Sequence, residues 1–418
     1  MANFSINGRV ISIDINVLPA ETMEVAEVVS RIAAEDIMAV SDCPPHSESL
    51  RDGYVLAPFN EPSPFAERAA NAVKGAGDYY YSVVGEIAAG TRNVGFLRPG
   101  SACRIFTGGL IPEGGARVVP QEECAEVAGR VRVAAAAIAS ERLFINMAGS
   151  ELVCGATIVS KGTRLEIDHL TYLAAAGVYH VQVSARPQVA CFCTGSELVA
   201  VGGPIAAGQK LSLNSMLLQN LIPHYGGVLA DQGIIVDNHQ AITEIFGTLT
   251  DGHCDLVVST GGMGPGKYDL VKNAFCGVGG TIILESLPMH PGRSILLGIL
   301  GDTVFIALPG PPNAVRTLVN ELVGPLILML QGAKCFRPKV LQARLLHDYR
   351  IRKSDLLQVK GGVLTIEQGN CRVRLAERLD PVSCFILFAA GRKEFMQGDV
   401  VEVHLAATSA CGVVSDHF

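Results

Sequence analysis

No surplus of positive charge runs through this chain: 33 Lys and Arg stand against 40 Asp and Glu, giving a formal net charge of -7 and a pI near 5.8. A broad nucleic-acid footprint needs clustered basic residues, so the balance argues against that partner. An anionic ligand would have to be held by local dipoles. Charged residues make up only 17% of the 418 positions and hydrophobic ones 49%, which leaves no compositional basis for general disorder. Of the 12 cysteines none forms a C-x-x-C pair, and the histidines show no H-x-x-x-H spacing, so a zinc site is not expected. Scattered, unpaired thiols fit a reduced cytoplasmic compartment. The N-terminus lacks a basic segment followed by an apolar stretch, and no uninterrupted apolar run reaches the ~18 residues that a membrane span requires, so no membrane partner is expected. Also missing are a G-x-S-x-G elbow and a complete Walker A sequence, which sets hydrolase and P-loop readings back.

What the chain does carry is a glycine-rich turn, Ser259 to Asp269 (STGGMGPGKYD), between an apolar run (DLVVS) and a helix-like run (LVKNAF). Free N–H groups at a helix start, the helix dipole and the close approach that glycine permits together favour an anion there. Thr194-Gly195-Ser196-Glu197 and Leu308-Pro309-Gly310-Pro311-Pro312 are read as two further loops of the same kind.

At this length two to four domains are expected. Residues 20–38 carry apolar positions at helical spacing, which predicts an amphipathic helix. From Asp52 to about Val133, short β-like runs (YVLAP, YYYSVVG, ACRIF, ARVVP, RVRVAA) predict a β-rich unit, and DHLTYLAAAG predicts a helix closed by Gly177. Residues 188–330 alternate strand and helix, which implies a parallel sheet with ligands outside the C-terminal strand ends. After Gly332 short alternating runs return and predict a small β-domain. Cys191 and Cys193 alternate with apolar neighbours and are expected to pack on one face.

The acids that adjoin breakers or glycines are Asp52 (RDGY), Glu151 (AGSE), Glu197 (TGSE), Asp237 before a helix, and Asp269 after the glycine loop. Oxygens from several segments suit a hard cation such as Mg2+, which takes one or two carboxylates together with substrate phosphates. Other readings stand beside this one: Asp237 as a helix cap, Asp269 as a partner of its helix dipole, Asp52 as a turn residue. Lys267 inside the glycine loop and Arg293 after His290-Pro291-Gly292 offer counter-charge to phosphate or an oxyanion, or are surface cations.

Taken in order, CPPHSESLRDGYVL, GEIAAG, RIFTGGLIPEGGARVV, AGSELVCGATIVSKG, RPQVACFCTGSELV, TGGMGPGKYD, and MHPGRS with LPGPP resemble the motifs of the molybdopterin molybdenumtransferase family, relatives of the gephyrin E domain. The resemblance runs along nearly the whole chain. It implies a multidomain α/β plus β fold: an elongated N-terminal domain (1–40 and 145–184), an inserted β-rich lobe (41–144), an α/β parallel-sheet domain like molybdopterin adenylyltransferase (185–331) and a small C-terminal β-domain (332–418). It further implies a homodimer in which Asp52 and Thr107 serve the neighbouring chain's site. The implied activity is insertion of molybdate, or tungstate, into adenylylated molybdopterin with release of AMP and a requirement for Mg2+.

By the same resemblance the acidic site positions are Asp52, Glu151, Glu197, Asp237 and Asp269, with Glu197, Asp237 and Asp269 on the metal. Substrate contacts are expected from Thr107, Thr194, Gly195, Ser196, Gly261, Gly262, Gly264, Gly266, Lys267, Pro291, Gly292, Arg293, Pro309 and Gly310. Several positions differ from the family pattern: Gly264 stands for a serine, Lys267 for an acid, Pro311 for an asparagine, Arg117 for an aspartate and Glu151 for the shorter acid, and His46, Ser47 and Arg51 precede Asp52 in place of an aromatic, an acid and a methionine. Two other activities fit the same motifs, a molybdopterin carrier without turnover and a pterin nucleotidyltransferase.

Overall fold

A computed structural model describes residues 2–6, 9–13, 15–58, 78–92, 94–251, 254–263, 270–352 and 355–407. Where helical spacing predicts a helix over 20–38, the chain instead forms a strand, Ala20–Glu24, a single 3-10 turn, Val25–Glu27, and a two-residue strand, Ile37–Met38. The strand pairs antiparallel with His180–Ser184, from Ala20 opposite Ser184 to Glu24 opposite His180. Ser30 has φ 67°, a left-handed conformation that no α-helix passes through. The apolar period survives for a different reason: Val25 and Val28 pack with Leu165, Leu173, Val181 and Val183 from the far side of the inserted lobe. The helix Ile167–Ala175 ends as expected, with Gly177 at φ 78°.

The lobe is a six-stranded sheet in the order Cys124–Val127, Arg130–Ala134, Asp78–Ile87, Ser101–Ile105, Gly53–Leu56, Arg117–Pro120. Gly53 follows Asp52 for a steric reason: a Cβ at that position would lie 2.0 Å from the Val119 carbonyl oxygen. Arg117 donates to the carbonyls of Ala137 and Arg142 at 3.1 and 3.0 Å, which ties the sheet edge to the segment leaving the lobe.

The α/β domain contains β1 (Gln188–Thr194), α1 (Leu213–His224), β2 (Val228–Ile235), α2 (His239–Asp251), β3 (Leu256–Thr260), α3 (Leu270–Gly277), β4 (Thr281–Leu284), β5 (Leu296–Leu300), β6 (Thr303–Leu308) and α4 (Pro312–Leu318). Strand order is β2-β1-β3-β6-β5-β4. Five of the six run in one direction and β5 alone is reversed, because β5 hairpins back along β6 and β4 runs antiparallel to β5. The expected parallel sheet is present with one reversed strand in it: the turn at Gly301, φ 60°, reverses the chain with no helical crossover. One face of the sheet packs a phenylalanine cluster in which Phe275 and Phe305 stack at 4.7 Å and Phe246 meets Phe305 edge-on at 5.0 Å. The other face buries α1 and the continuous helical run Pro312–Leu330, the only described helix long and apolar enough to cross a membrane, most of which is interior here. Cys191 and Cys193 are both buried on this side, as expected.

In the C-terminal domain, Leu357–Glu367, Asn370–Leu375, Val340–Leu345, Val400–Leu405 and Cys384–Phe388 pair in a ring, closed because the first strand also pairs with the last. Met289–His290, from the connection between β4 and β5, joins this ring as an extra parallel strand against Leu357 and Gln358. Leu357, Val359 and Phe385 also belong to the apolar cluster beneath α1, so the core runs on across the boundary.

Candidate functional site

The parallel strands β1, β3 and β6 are neighbours, and each ends at the same edge of the sheet in one of the three loops singled out by sequence. A cavity of about 910 Å³ opens there, lined by Thr194, Gly195 and Glu197 from the first loop, Gly261 and Gly262 from the second, Pro309 and Gly310 from the third, and Asp237 from the start of α2. Glycine is required in the second loop. Gly261 and Gly262 have φ 92° and 63°, and Cβ atoms there would lie 2.3 Å from the Thr194 carbonyl oxygen and 2.6 Å from Val271 Cγ2. The third loop differs from the expectation of a further anion cradle. Pro309, Pro311 and Pro312 have no N–H to offer, and Gly310 turns its carbonyl to Asn214 at 2.8 Å, so this loop is mostly an apolar wall.

Glu197 is set by its backbone. Leu198 N–H donates to Gly195 O at 3.0 Å and Lys210 N–H to Glu197 O at 2.8 Å, which closes a tight turn and pins it to the short parallel pair Leu198–Val199 and Lys210–Leu211. Asp237 does not cap α2. Asn238 does, accepting from Gln240 N–H at 2.8 Å through its side chain and from Ile242 N–H at 3.1 Å through its carbonyl. The Asp237 carboxylate thus shares a cavity with Glu197, and Lys210 brings a cation to the same lining that sequence reading had passed over. No group of three or more metal-ligating side chains occurs among the described residues. Gly264, Gly266, Lys267 and Asp269 lie outside the described residues.

Beneath the loops runs a polar floor that sequence reading also missed. Asn214 donates to Thr260 Oγ1 at 3.2 Å, Thr260 to Cys193 Sγ at 3.2 Å, and Ser215 lies within hydrogen-bond distance of both Cys193 and Ser212. Three segments distant in sequence, at Cys193, Ser212 to Ser215 and Thr260, are locked together at the strand ends by this chain.

A second cavity, about 760 Å³, lies between the α/β and C-terminal domains and shares Ser294, Pro309 and Pro311 with the first. Pro291, Gly292 and Arg293 line it rather than the first cavity, together with Arg316, Lys360 and Arg378. Burial holds the Arg316 guanidinium below its ordinary pKa, and it donates to Val382 O at 3.2 Å. Asp380 is engaged by Arg374, whose hydrogen bonds hold its carboxyl down at about 2. The cavity therefore faces an incoming group with net positive charge.

Asp52 and Thr107 meet in the lobe. The Thr107 N–H and hydroxyl each donate to Asp52 Oδ1 at 2.8 Å, and those two bonds, the backbone one first, hold the carboxyl below its usual range with Arg104 adding to them. Neither residue lines the two cavities, nor does Glu151, whose carboxylate lies 3.6 Å from Cys43 Sγ. Ser196 sits in the first loop but is not part of the lining.

Comparison with known proteins matches both halves of this arrangement. Residues 6–177 match the MoeA N-terminal region (domain I and II), and residues 190–328 match a probable molybdopterin binding domain. A molybdopterin molybdenumtransferase of Nostoc sp. is 31% identical over 318 residues, 75% of this chain and 70% of that protein. One from Staphylococcus epidermidis is 25% identical over 92% of this chain and 90% of its own. The crystal structure of a molybdopterin biosynthesis MoeA protein from Pyrococcus horikosii superposes with a TM-score of 0.76 at 24% identity, covering 94% of this chain and 95% of that one, a likeness of fold. With family models over 6–177 and 190–328 and a relative 31% identical that the chain covers to 70%, the chain belongs to the molybdopterin molybdenumtransferase family.

Proposed function

We propose that this chain inserts molybdate, or tungstate, into adenylylated molybdopterin and releases AMP. The observation that supports this most is the pairing of two cavities with a common wall: one with carboxylates and glycine loops, the other with net positive charge. The first suits a phosphorylated ligand, its N–H groups at Gly195 and Gly262 meeting phosphate oxygens, while the Gly261 N–H is taken by the Leu308 carbonyl at 3.0 Å. The second suits an oxyanion held by Arg293, Lys360 and Arg378 until it crosses the partition at Ser294 and Pro309. Glu197 and Asp237 fit a divalent cation, with Asp269 as the third acid expected from sequence. When bound, Mg2+ would neutralise charge building on the departing phosphate. On this reading the chain works as a cytoplasmic homodimer, and Asp52 and Thr107 of one protomer close the cavity of the other. The preset Asp52–Thr107 pair supports that role, since a carboxylate kept ionised and oriented by two donors is ready to face a cation or a ligand hydroxyl.

The test uses the purified chain with adenylylated molybdopterin, Mg2+ and molybdate. AMP and metallated cofactor are expected in equal amounts, with neither forming when molybdate is withheld. Tight pterin binding without AMP release would instead favour a carrier, and ATP-dependent adenylylation of free molybdopterin would favour a nucleotidyltransferase.

A further inference from the structure

Two buried polar atoms on the cavity floor have no partner among the described residues. Asn214 and Thr194, 7% and 4% exposed, both line the cavity. Asn214 Oδ1 and Thr194 Oγ1 are shut from solvent with no hydrogen bond among the described residues. The orientation of the Asn214 amide follows from its neighbour: Gly310 O, 2.8 Å away, can only accept, so the nitrogen faces it and the oxygen is left over. An orphaned acceptor in the interior is unfavourable, and native proteins keep few without a use. A phosphate oxygen cannot relieve it, because two acceptors repel. A ligand N–H can. The walls beside it, Leu198, Leu211, Leu213, Met263, Pro309 and Pro311, are uncharged and suit the face of a flat ring.

We propose that Asn214 Oδ1 and the Thr194 hydroxyl form a ring-edge subsite that selects a fused heteroaromatic ring carrying an amino group, while the phosphate is directed to the glycine loops. The proposal rests on the function above only in that its ligand contains such rings. Adenine and pterin both qualify, and matched probes tell them apart: AMP against inosine monophosphate, and 6-hydroxymethylpterin against 6-hydroxymethyllumazine, each pair exchanging the amino group for an oxo group. Titration calorimetry on the full chain should give roughly fivefold or greater preference for the amino member of one pair, the usual worth of a hydrogen bond to a buried acceptor. The responding pair names the ring. Asn214→Ala should abolish the preference but also frees Gly310, so Thr194→Val is the cleaner variant. It removes no bond made within the described chain, so it should melt no lower than wild type and yet lose most of the preference. Equal binding within both pairs, or full preference retained in Thr194→Val, overturns the subsite. AMP release is scored on the same preparation: preference without release refutes the insertion activity alone, and release without preference refutes the subsite alone.

Discussion

Glu197 and Gly262 carry the most direct tests at the scale of single residues. Glu197→Gln keeps shape and removes charge, so Mg2+-dependent turnover should fall by about 100-fold or more while pterin affinity stays within about threefold. Turnover and calorimetry together check it, and undiminished turnover would remove Glu197 from the metal. Gly262→Ala places a methyl 2.6 Å from Val271 Cγ2 and 2.8 Å from Thr194 Oγ1 at φ 63°. A loss of about 1–3 kcal/mol in denaturant unfolding is expected, together with weaker ligand binding. The glycines were legible in sequence because a glycine cluster after an apolar run is a local signal. Asn214 was not: its partners Thr260 and Gly310 are 46 and 96 positions away, and in sequence it is one more polar residue at a helix start.

Among elements, the junction of the helical run with the C-terminal ring turns on His404 and Glu321. His404 Nδ1 lies 2.7 Å from Glu321 Oε2, and its Nε2 lies 3.3 Å from Glu402 Oε1. Burial disfavours the charged imidazole, but hydrogen bonding and charge from Glu321, then Glu402, outweigh it and raise the pKa. A raised folded-state value means that the pair's stabilisation is complete below the ordinary histidine value of about 6.5 and is lost as pH climbs through the folded one. Melting temperatures of wild type and His404→Gln should therefore differ most at acidic pH and converge toward pH 9; a gap independent of pH would show that the imidazole is not titrating. Sequence legibility at this scale divides the same way as for residues. Strands with strict alternation, such as Arg130–Ala134 and Val400–Leu405, were readable from their own residues. Ala20–Glu24 was not, since its strand character comes from His180–Ser184 across the whole lobe, and the reversed sense of β5 is set by its hairpin with β6, an interaction outside its own five residues.

For the whole molecule, the proposed sharing of sites between protomers predicts complementation. Asp52→Ala and Glu197→Gln should each be inactive alone. Mixed, unfolded and refolded together in equal amounts, they should recover about a quarter of wild-type activity, because half of the dimers are mixed and each holds one intact site. No recovery, with mixed dimers demonstrated by mass, would place Asp52 outside the shared site. The order of domains was legible because seven motifs recur in register with the family, whereas which cavity each motif lines was not: Pro291 to Arg293 fall on the far side of the Pro309 partition. That displacement follows from the loan of Met289–His290 to the C-terminal ring. Arg293, three residues beyond, thus lines the seam between two bodies, and on the proposed reading excising the terminal barrel would cost the chain its hold on the incoming oxyanion as well as a domain.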